Sequence, residues 1–189
     1  GICYDDGTTA RLAEDHFVMT TTTANAVLVY RNMEFARQCL FPDLDVNLIS
    51  TTDQWAQFAI AGPKSRDVLS KIIDKVDMSN DGFPFMACSD VTVCGGTPGR
   101  LFRISFSGEL AYEVAVPARY GDALIREIMA AGEEFDITPY GTEALGVMRI
   151  EKGHVTGAEL NGQMTAFNVN MNNMVSTKKD SIGSVLSRR

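Results

Sequence analysis

No run of apolar residues approaches the roughly 20 that a membrane-crossing helix requires, and the first residues lack the basic and apolar regions of a secretion signal. A cytosolic location is the expectation. Basic residues are also scarce, 17 against 24 acidic, and the formal net charge of -7 provides no electrostatic footprint for a polyanion, so nucleic acid is not an expected partner. The sequence has only two histidines and four cysteines. Cys3, Cys39, Cys88 and Cys94 form no C-x-x-C pair and keep no metal-ligand spacing with His16 or His154, which excludes a recognisable zinc site or disulfide framework. Their expected role is that of buried small hydrophobes, with a catalytic Cys/His pair as the alternative. There is no P-loop and no G-x-S-x-G. Gly95-Gly-Thr-Pro-Gly99 lacks the G-x-G-x-x-G spacing and precedes a strand pattern, so it is read as a turn.

What remains is an ordinary globular composition, 45% apolar, long enough for one good core or two small lobes. Gly1 is not an initiator methionine and sits inside an apparent strand and turn, and Asp180–Arg189 shows no closing element, so a fragment is expected at both ends. The possible lobes are 1–52 and 53–155, with 156–189 an irregular tail.

Along the chain, Asp5-Asp6-Gly7 is expected to turn between two strands, since Asp and Gly tolerate turn conformations. His16–Thr23 is aromatic and β-branched and reads as a strand, after which Thr23 is positioned to cap a helix from Ala24 to Leu40, ended by Pro42. Val29, Met33, Ala36 and Leu40 recur at helical spacing and predict one buried stripe. Trp55–Ala61 reads as a strand with Ala56, Phe58 and Ile60 on one face, and Gly62-Pro63 then leads into a helix carrying Val68, Leu69, Ile72 and Ile73. Strands at Leu101–Ser107 and Leu110–Val116, separated by Gly108-Glu109, predict a hairpin. A helix over Arg119–Ala131 and another from Thr138 and Pro139 to Lys152 complete the pattern. Strands with interspersed helices but no clean βαβ alternation give the class α+β, with mixed or antiparallel sheets and flanking helices. The hydroxyls of Thr20 to Thr23 either bond a ligand or alternate across a strand.

Four collinear segments carry a resemblance. Asp5-Asp6-Gly-Thr-Thr-Ala-Arg-Leu-Ala-Glu-Asp15 with His16–Ala26, then Ala59-Ile-Ala-Gly-Pro-Lys-Ser-Arg-Asp-Val-Leu69, then Arg103-Ile-Ser-Phe-Ser-Gly-Glu-Leu-Ala-Tyr-Glu-Val114, and last Tyr140-Gly-Thr-Glu143 through Met148-Arg-Ile-Glu-Lys-Gly153 resemble the folate-binding domain of the aminomethyltransferase (glycine cleavage T protein) family. The threonine run, the Tyr-Gly-Thr-Glu form, Ala158–Gly162 and Ser176–Asp180 look most similar to its heterotetrameric sarcosine oxidase branch, in the C-terminal region of the α subunit. The family's N-terminal portion and final β-barrel have no counterpart in the sequence.

The resemblance implies roles. Asp6, at the second aspartate of the family's D-D pair, is the expected catalytic residue: a carboxylate beside the reactive edge of tetrahydrofolate stabilises positive charge and handles a proton. From residue type alone it is equally a turn aspartate. Glu113 aligns with the glutamate that accepts the pterin's N–H donors, and strand alternation puts it on the side of Ala111 and Ala115, a small-residue face with room for a flat ring. The other reading is a solvent-facing glutamate. Phe106 stands where the family has tyrosine and retains stacking, Thr22 stands where asparagine is common, and Phe83 lies near another aromatic folate position, with a core role as the alternative. Arg149 matches the arginine of L-R-x-E, or is a structural ion-pair partner. Leu145 replaces an arginine that engages the carboxylate side of folate.

By the same resemblance the substrate complex is tetrahydrofolate with a sarcosine-derived iminium, and the products are 5,10-methylenetetrahydrofolate and glycine. FAD, FMN and NAD belong to the rest of a hetero-oligomer with the other oxidase subunits, and this segment alone is expected to be inert. A glycine-cleavage-type aminomethyltransferase and a non-catalytic folate-binding module are the alternatives, and dimethylglycine is the alternative donor.

Overall fold

The computed structural model describes residues 1–160, 162–176 and 178–187. They form two compact units, one of Gly1–Thr9, Met19–Ser50 and Val155–Arg189, the other of Ala10–Val18 and Thr51–His154. Short strands β1 (Thr9–Arg11) and β2 (Phe17–Met19) pair as a ribbon, whose tip is closed by the Leu12 N–H donating to the His16 carbonyl at 2.9 Å.

In the first unit a 3-10 turn at Thr23–Asn25 leads into α1 (Ala26–Phe35), which widens to π geometry over Ala36–Leu40 before Phe41 leaves helical backbone ahead of Pro42. The helical span is as expected, but the cap is not. No side chain caps it; the Asn25 amide instead donates to the Tyr4 carbonyl at 3.1 Å and to Asp5 Oδ1 at 3.0 Å. The expected buried stripe is also absent: Val29 alone is buried, and Leu40 is 49% exposed. The reason is that this unit contributes little core. Val29, Leu160 and Ala166 are its buried hydrophobics among the described residues, while Val27, Phe35, Leu44 and Ile49 stand exposed.

Polar and backbone links hold its N-terminal segment instead. Asp5-Asp6-Gly7 is not a turn between strands but an irregular segment, preceded only by the isolated bridge Ile2 to Thr165. Thr20 N–H donates to the Thr8 carbonyl at 2.9 Å, and Thr8 N–H to Thr20 Oγ1 at 3.1 Å. A Cβ at Gly7 would lie 2.0 Å from the Thr20 carbonyl oxygen, so this close approach of two backbones admits glycine alone.

The second unit is built on a five-stranded, wholly antiparallel sheet. Its chain order is β3 (Trp55–Ala61), α2 (Ser65–Leu69), β4 (Ile73–Asp74), β5 (Cys88–Val93), β6 (Thr97–Phe102), β7 (Ala111–Pro117), α3 (Gly121–Gly132) and α4 (Thr142–Lys152). In space the strands run β3-β7-β6-β5-β4. α2 and α3 pack on one face, where Ile60, Leu69, Leu101, Tyr112, Val114, Val116, Leu124 and Ile128 make the core. This is the expected α+β class, with antiparallel pairing throughout.

Several boundaries differ from the sequence expectation. β3 matches, with Ile60 buried and Phe58 half-buried on one side. The helix after Gly62-Pro63 stops at Leu69, and Ile73 is already in β4. The glycine-rich turn is confined to Cys94–Gly96, whose φ angles of 51°, 80° and 138° are all left-handed, so Thr97-Pro98-Gly99 belongs to β6. The hairpin is looser than a two-residue turn, because the Gly108 and Glu109 amides donate to Ser105 and Ser107 hydroxyls at 3.0 and 3.4 Å and withdraw 103–110 from the ladder. Leu101 therefore pairs with Val114 instead of Val116, an even shift that leaves every side chain on its face. α4 begins at Thr142, since the Thr138 hydroxyl donates back to the Asp136 carbonyl at 3.3 Å and caps nothing. It ends at Gly153, whose φ of 84° forms the left-handed C-cap. The cysteines are not uniformly buried either: Cys39 and Cys94 are exposed, one on the thinly covered helix and one in the tight turn.

Burial predicts where substitutions hurt. Leu101→Ala, at a fully buried site, is expected to cost about 2–5 kcal/mol, whereas Leu44→Ala, 58% exposed, should stay within about 0.5 kcal/mol in urea denaturation. Asp5→Ala removes acceptors for the Asn25 amide and for Thr22 N–H at 3.1 Å, and an expected loss of about 1–3 kcal/mol is readable in the same experiment.

Candidate functional site

Alternation along β7 separates two faces. Tyr112, Val114 and Val116 enter the core and are fully buried, while Ala111, Glu113 and Ala115 project to the opposite side. Glu113 lies directly across from Ala59 on β3 and from Phe102 on β6. On its own strand the residues that share its face are Ala111 and Ala115, while Phe102 stands beside it on β6, so the carboxylate rises from an interior strand between alanines and one aromatic ring.

The Gln57 amide donates to Glu113 Oε2. Burial pushes the Glu113 carboxyl above its usual range, and the Gln57 hydrogen bond opposes that shift. Among the described residues no lysine or arginine forms an ion pair with it. Tyr140, ahead of α4, is close enough to respond: its phenol is pushed up first by burial and then by the Glu113 charge. Arg100, on the same face of β6, is directed elsewhere, 3.4 Å from Asp90 and 4.0 Å above the Trp55 ring. The result is a half-buried carboxylate that no cation among the described residues neutralises, with acceptor capacity left for further N–H donors.

The loop 103–110 is tied to the end of α4. Phe106 is half-buried and stacks on His154, with ring centres 5.6 Å apart, and its carbonyl lies 3.0 Å from His154 Nδ1. Arg149 Nη1 donates to the His154 carbonyl at 3.1 Å. Phe106 and Arg149 are thus joined through His154, a residue that sequence reasoning weighed as a metal ligand or as half of a catalytic Cys/His pair. Leu145 is half-buried in the middle of α4.

Phe83 requires correction. It is 5% exposed and packs on Tyr112 with ring centres 6.4 Å apart, on the face of β7 that points away from Glu113, so its place is in the core. Arg103 reinforces it, donating to the Phe83 carbonyl at 2.7 Å and to Asn80 Oδ1 at 2.8 Å, while Arg66 donates to the Tyr112 hydroxyl at 3.1 Å.

In the first unit, Asp5 and not Asp6 supplies the anchor to Thr22 and Asn25. Asp6 is half-buried beside it. Thr22 is half-buried; its carbonyl accepts the Asn25 N–H at 2.9 Å, and its methyl group faces Gly157. Gln57 and Tyr140 are the neighbours of Glu113 that sequence reading missed. The strand alternation of Gln57 with Ala59 was the available signal for one of them.

Residues 1–179 match the family model of the GCVT N-terminal domain. The sarcosine oxidase subunit alpha of Rhizobium meliloti is 53% identical over 100% of this chain and 19% of its own length. That of Corynebacterium sp. strain U-96 is 48% identical over 97% of this chain, again 19% of its length. The chain thus spans about one fifth of the curated relatives it matches. A chain of the heterotetrameric sarcosine oxidase from Corynebacterium sp. U-96, solved in complex with pyrrole 2-carboxylate, shares the fold with a TM-score of 0.57 at 15% identity, covering 75% of this chain and 66% of that one. With the family model spanning nearly the whole sequence, from the aspartate pair through the last motif segment, the chain belongs to the GCVT N-terminal domain family.

Proposed function

We propose that the chain is the folate-binding part of a sarcosine oxidase subunit alpha, transferring the one-carbon unit of oxidised sarcosine to tetrahydrofolate with release of glycine. The observation that carries this reading is Glu113: a half-buried carboxylate on an interior strand, with no ion-pair partner among the described residues and with Gln57 as its hydrogen-bond donor. The two α subunits at 53% and 48% identity support the choice of branch.

The residues fit the group. The 2-amino and ring N–H donors of a pterin form an edge that a carboxylate accepts in bidentate fashion, and the exposed Ala59 directly across from Glu113 puts no bulk beside it on β3. Tetrahydrofolate would supply the nucleophilic amine. Glu113 holds and orients the ring by its N–H edge; Phe106, stacked on His154, contributes an aromatic surface, and Arg149 braces that pair. Asp6 handles the proton of the attacking amine and offsets the positive charge of the incoming iminium, while Asp5 keeps the segment in place. Thr22 adds a hydroxyl. Leu145 gives no contact to a folate carboxylate, which shifts the binding energy to the pterin end. Oxidation of sarcosine, with its FAD, FMN and NAD, and association with the other subunits, belong in this proposal to parts outside this segment.

Calorimetric titration with tetrahydrofolate tests the reading. Saturable binding is expected, weakened by at least about tenfold, or roughly 1.4 kcal/mol, in Glu113→Ala; equal affinity in parent and variant would contradict it. A second measurement needs no ligand. Because Glu113 holds its proton more tightly when folded, the folded state binds more protons than the unfolded one between the ordinary and raised values, and stability falls as pH rises through that window. Glu113→Gln should therefore melt higher than the parent at neutral pH, and the difference should vanish below about pH 4, where the carboxylate is protonated in both states.

A further inference from the structure

Binding an edge of two N–H donors requires Glu113 to be ionised and its carboxylate plane fixed, yet among the described residues no cation pairs with it. The group that touches it is Gln57. On β3, Gln57 is paired in register with Ala115, two residues along β7 from Glu113, so the two side chains meet diagonally across the ladder on one face. Diagonal neighbours on a sheet are within reach only of long side chains, and glutamine and glutamate both qualify. Gln57 itself is exposed, whereas Glu113 is half-buried.

We propose that Gln57 is a positioning residue for Glu113: its amide N–H holds Oε2, which fixes the plane of the carboxylate and leaves its remaining acceptor sites to the ligand. This deepens the folate reading and rests on it for the identity of the ligand, but not for the interaction itself. The other titratable groups around Glu113 do not substitute for Gln57. Tyr140 responds to the Glu113 charge, Arg100 is engaged by Asp90 and Trp55, and Arg11, on the ribbon that reaches Cys88, spends its guanidinium on the Ala13 and Glu14 carbonyls. Without Gln57 the burial of Glu113 is unopposed, and its proton affinity rises.

The experiment is a carboxylate titration of the ligand-free chain by carbon-13 NMR, with the Glu113 signal assigned by its loss in Glu113→Gln, in the parent and in Gln57→Leu. The midpoint of Glu113 is expected to rise by about one pH unit in Gln57→Leu, and in the same direction in Gln57→Asn, whose shorter amide cannot span the diagonal. Tetrahydrofolate affinity measured in parallel should fall in Gln57→Leu at pH values below the Glu113 midpoint and recover as the pH is raised and Glu113 ionises unaided. A folded Gln57→Leu chain with an unmoved midpoint overturns the assignment, even if its melting temperature falls. A raised midpoint in a chain that does not bind tetrahydrofolate sustains the role of Gln57 and sinks the folate reading alone.

Discussion

β7 is hydrogen-bonded along both edges, to β3 over its whole length and to β6 at Glu113, Val114 and Ala115. That double pairing fixes its register, and a strand's period of two then leaves no choice about direction. Tyr112, Val114 and Val116 must enter the core, where each fully buried side chain contributes about 1.5–3 kcal/mol, and Glu113 must emerge on the other side. The same constraint that builds the core holds the carboxylate in position. A side chain placed on an interior strand in this way needs few local contacts to be precise.

Much of this organisation was legible where pattern and environment agree. β3 was recovered at its true bounds because Trp55–Ala61 alternates cleanly and ends at Gly-Pro. The helical span to Leu40 was visible from its period and from Pro42, yet its buried stripe was not real: spacing reports which residues share a face, not whether anything covers it. β5 escaped notice because the polar Ser89, Asp90 and Thr92 leave only Val91 and Val93 to mark its buried face. The hairpin loop and the start of α4 were misplaced by local side-chain to backbone bonds of Ser105, Ser107 and Thr138, which compete with regular pairing.

The site divides along similar lines. The orientation of Glu113 follows from alternation alone, once its strand is accepted. Of the two roles open to Phe83 in the sequence, the core one fits its burial, because proximity in sequence to a family position says nothing of facing and its partner Tyr112 lies on the core side. Gln57, Tyr140 and His154 act on Glu113 or Phe106 across separations of 27 to 56 residues, a relation that only the folded strands and loop create. Likewise the pair Asp5-Asp6 is symmetric as a sequence and unequal as a structure, since the Asn25 amide and Thr22 N–H choose Asp5.

In the proposed reading tetrahydrofolate binds on the face of β7 that carries Glu113, opposite the core. The most direct test is a nitrogen-15 amide shift titration with tetrahydrofolate. The account predicts saturable perturbations centred on Gln57, Ala59, Phe102 and Ala111 to Ala115. A flat response there, or a response centred on Phe83, Asn80 and Arg66 behind the opposite face, would contradict it.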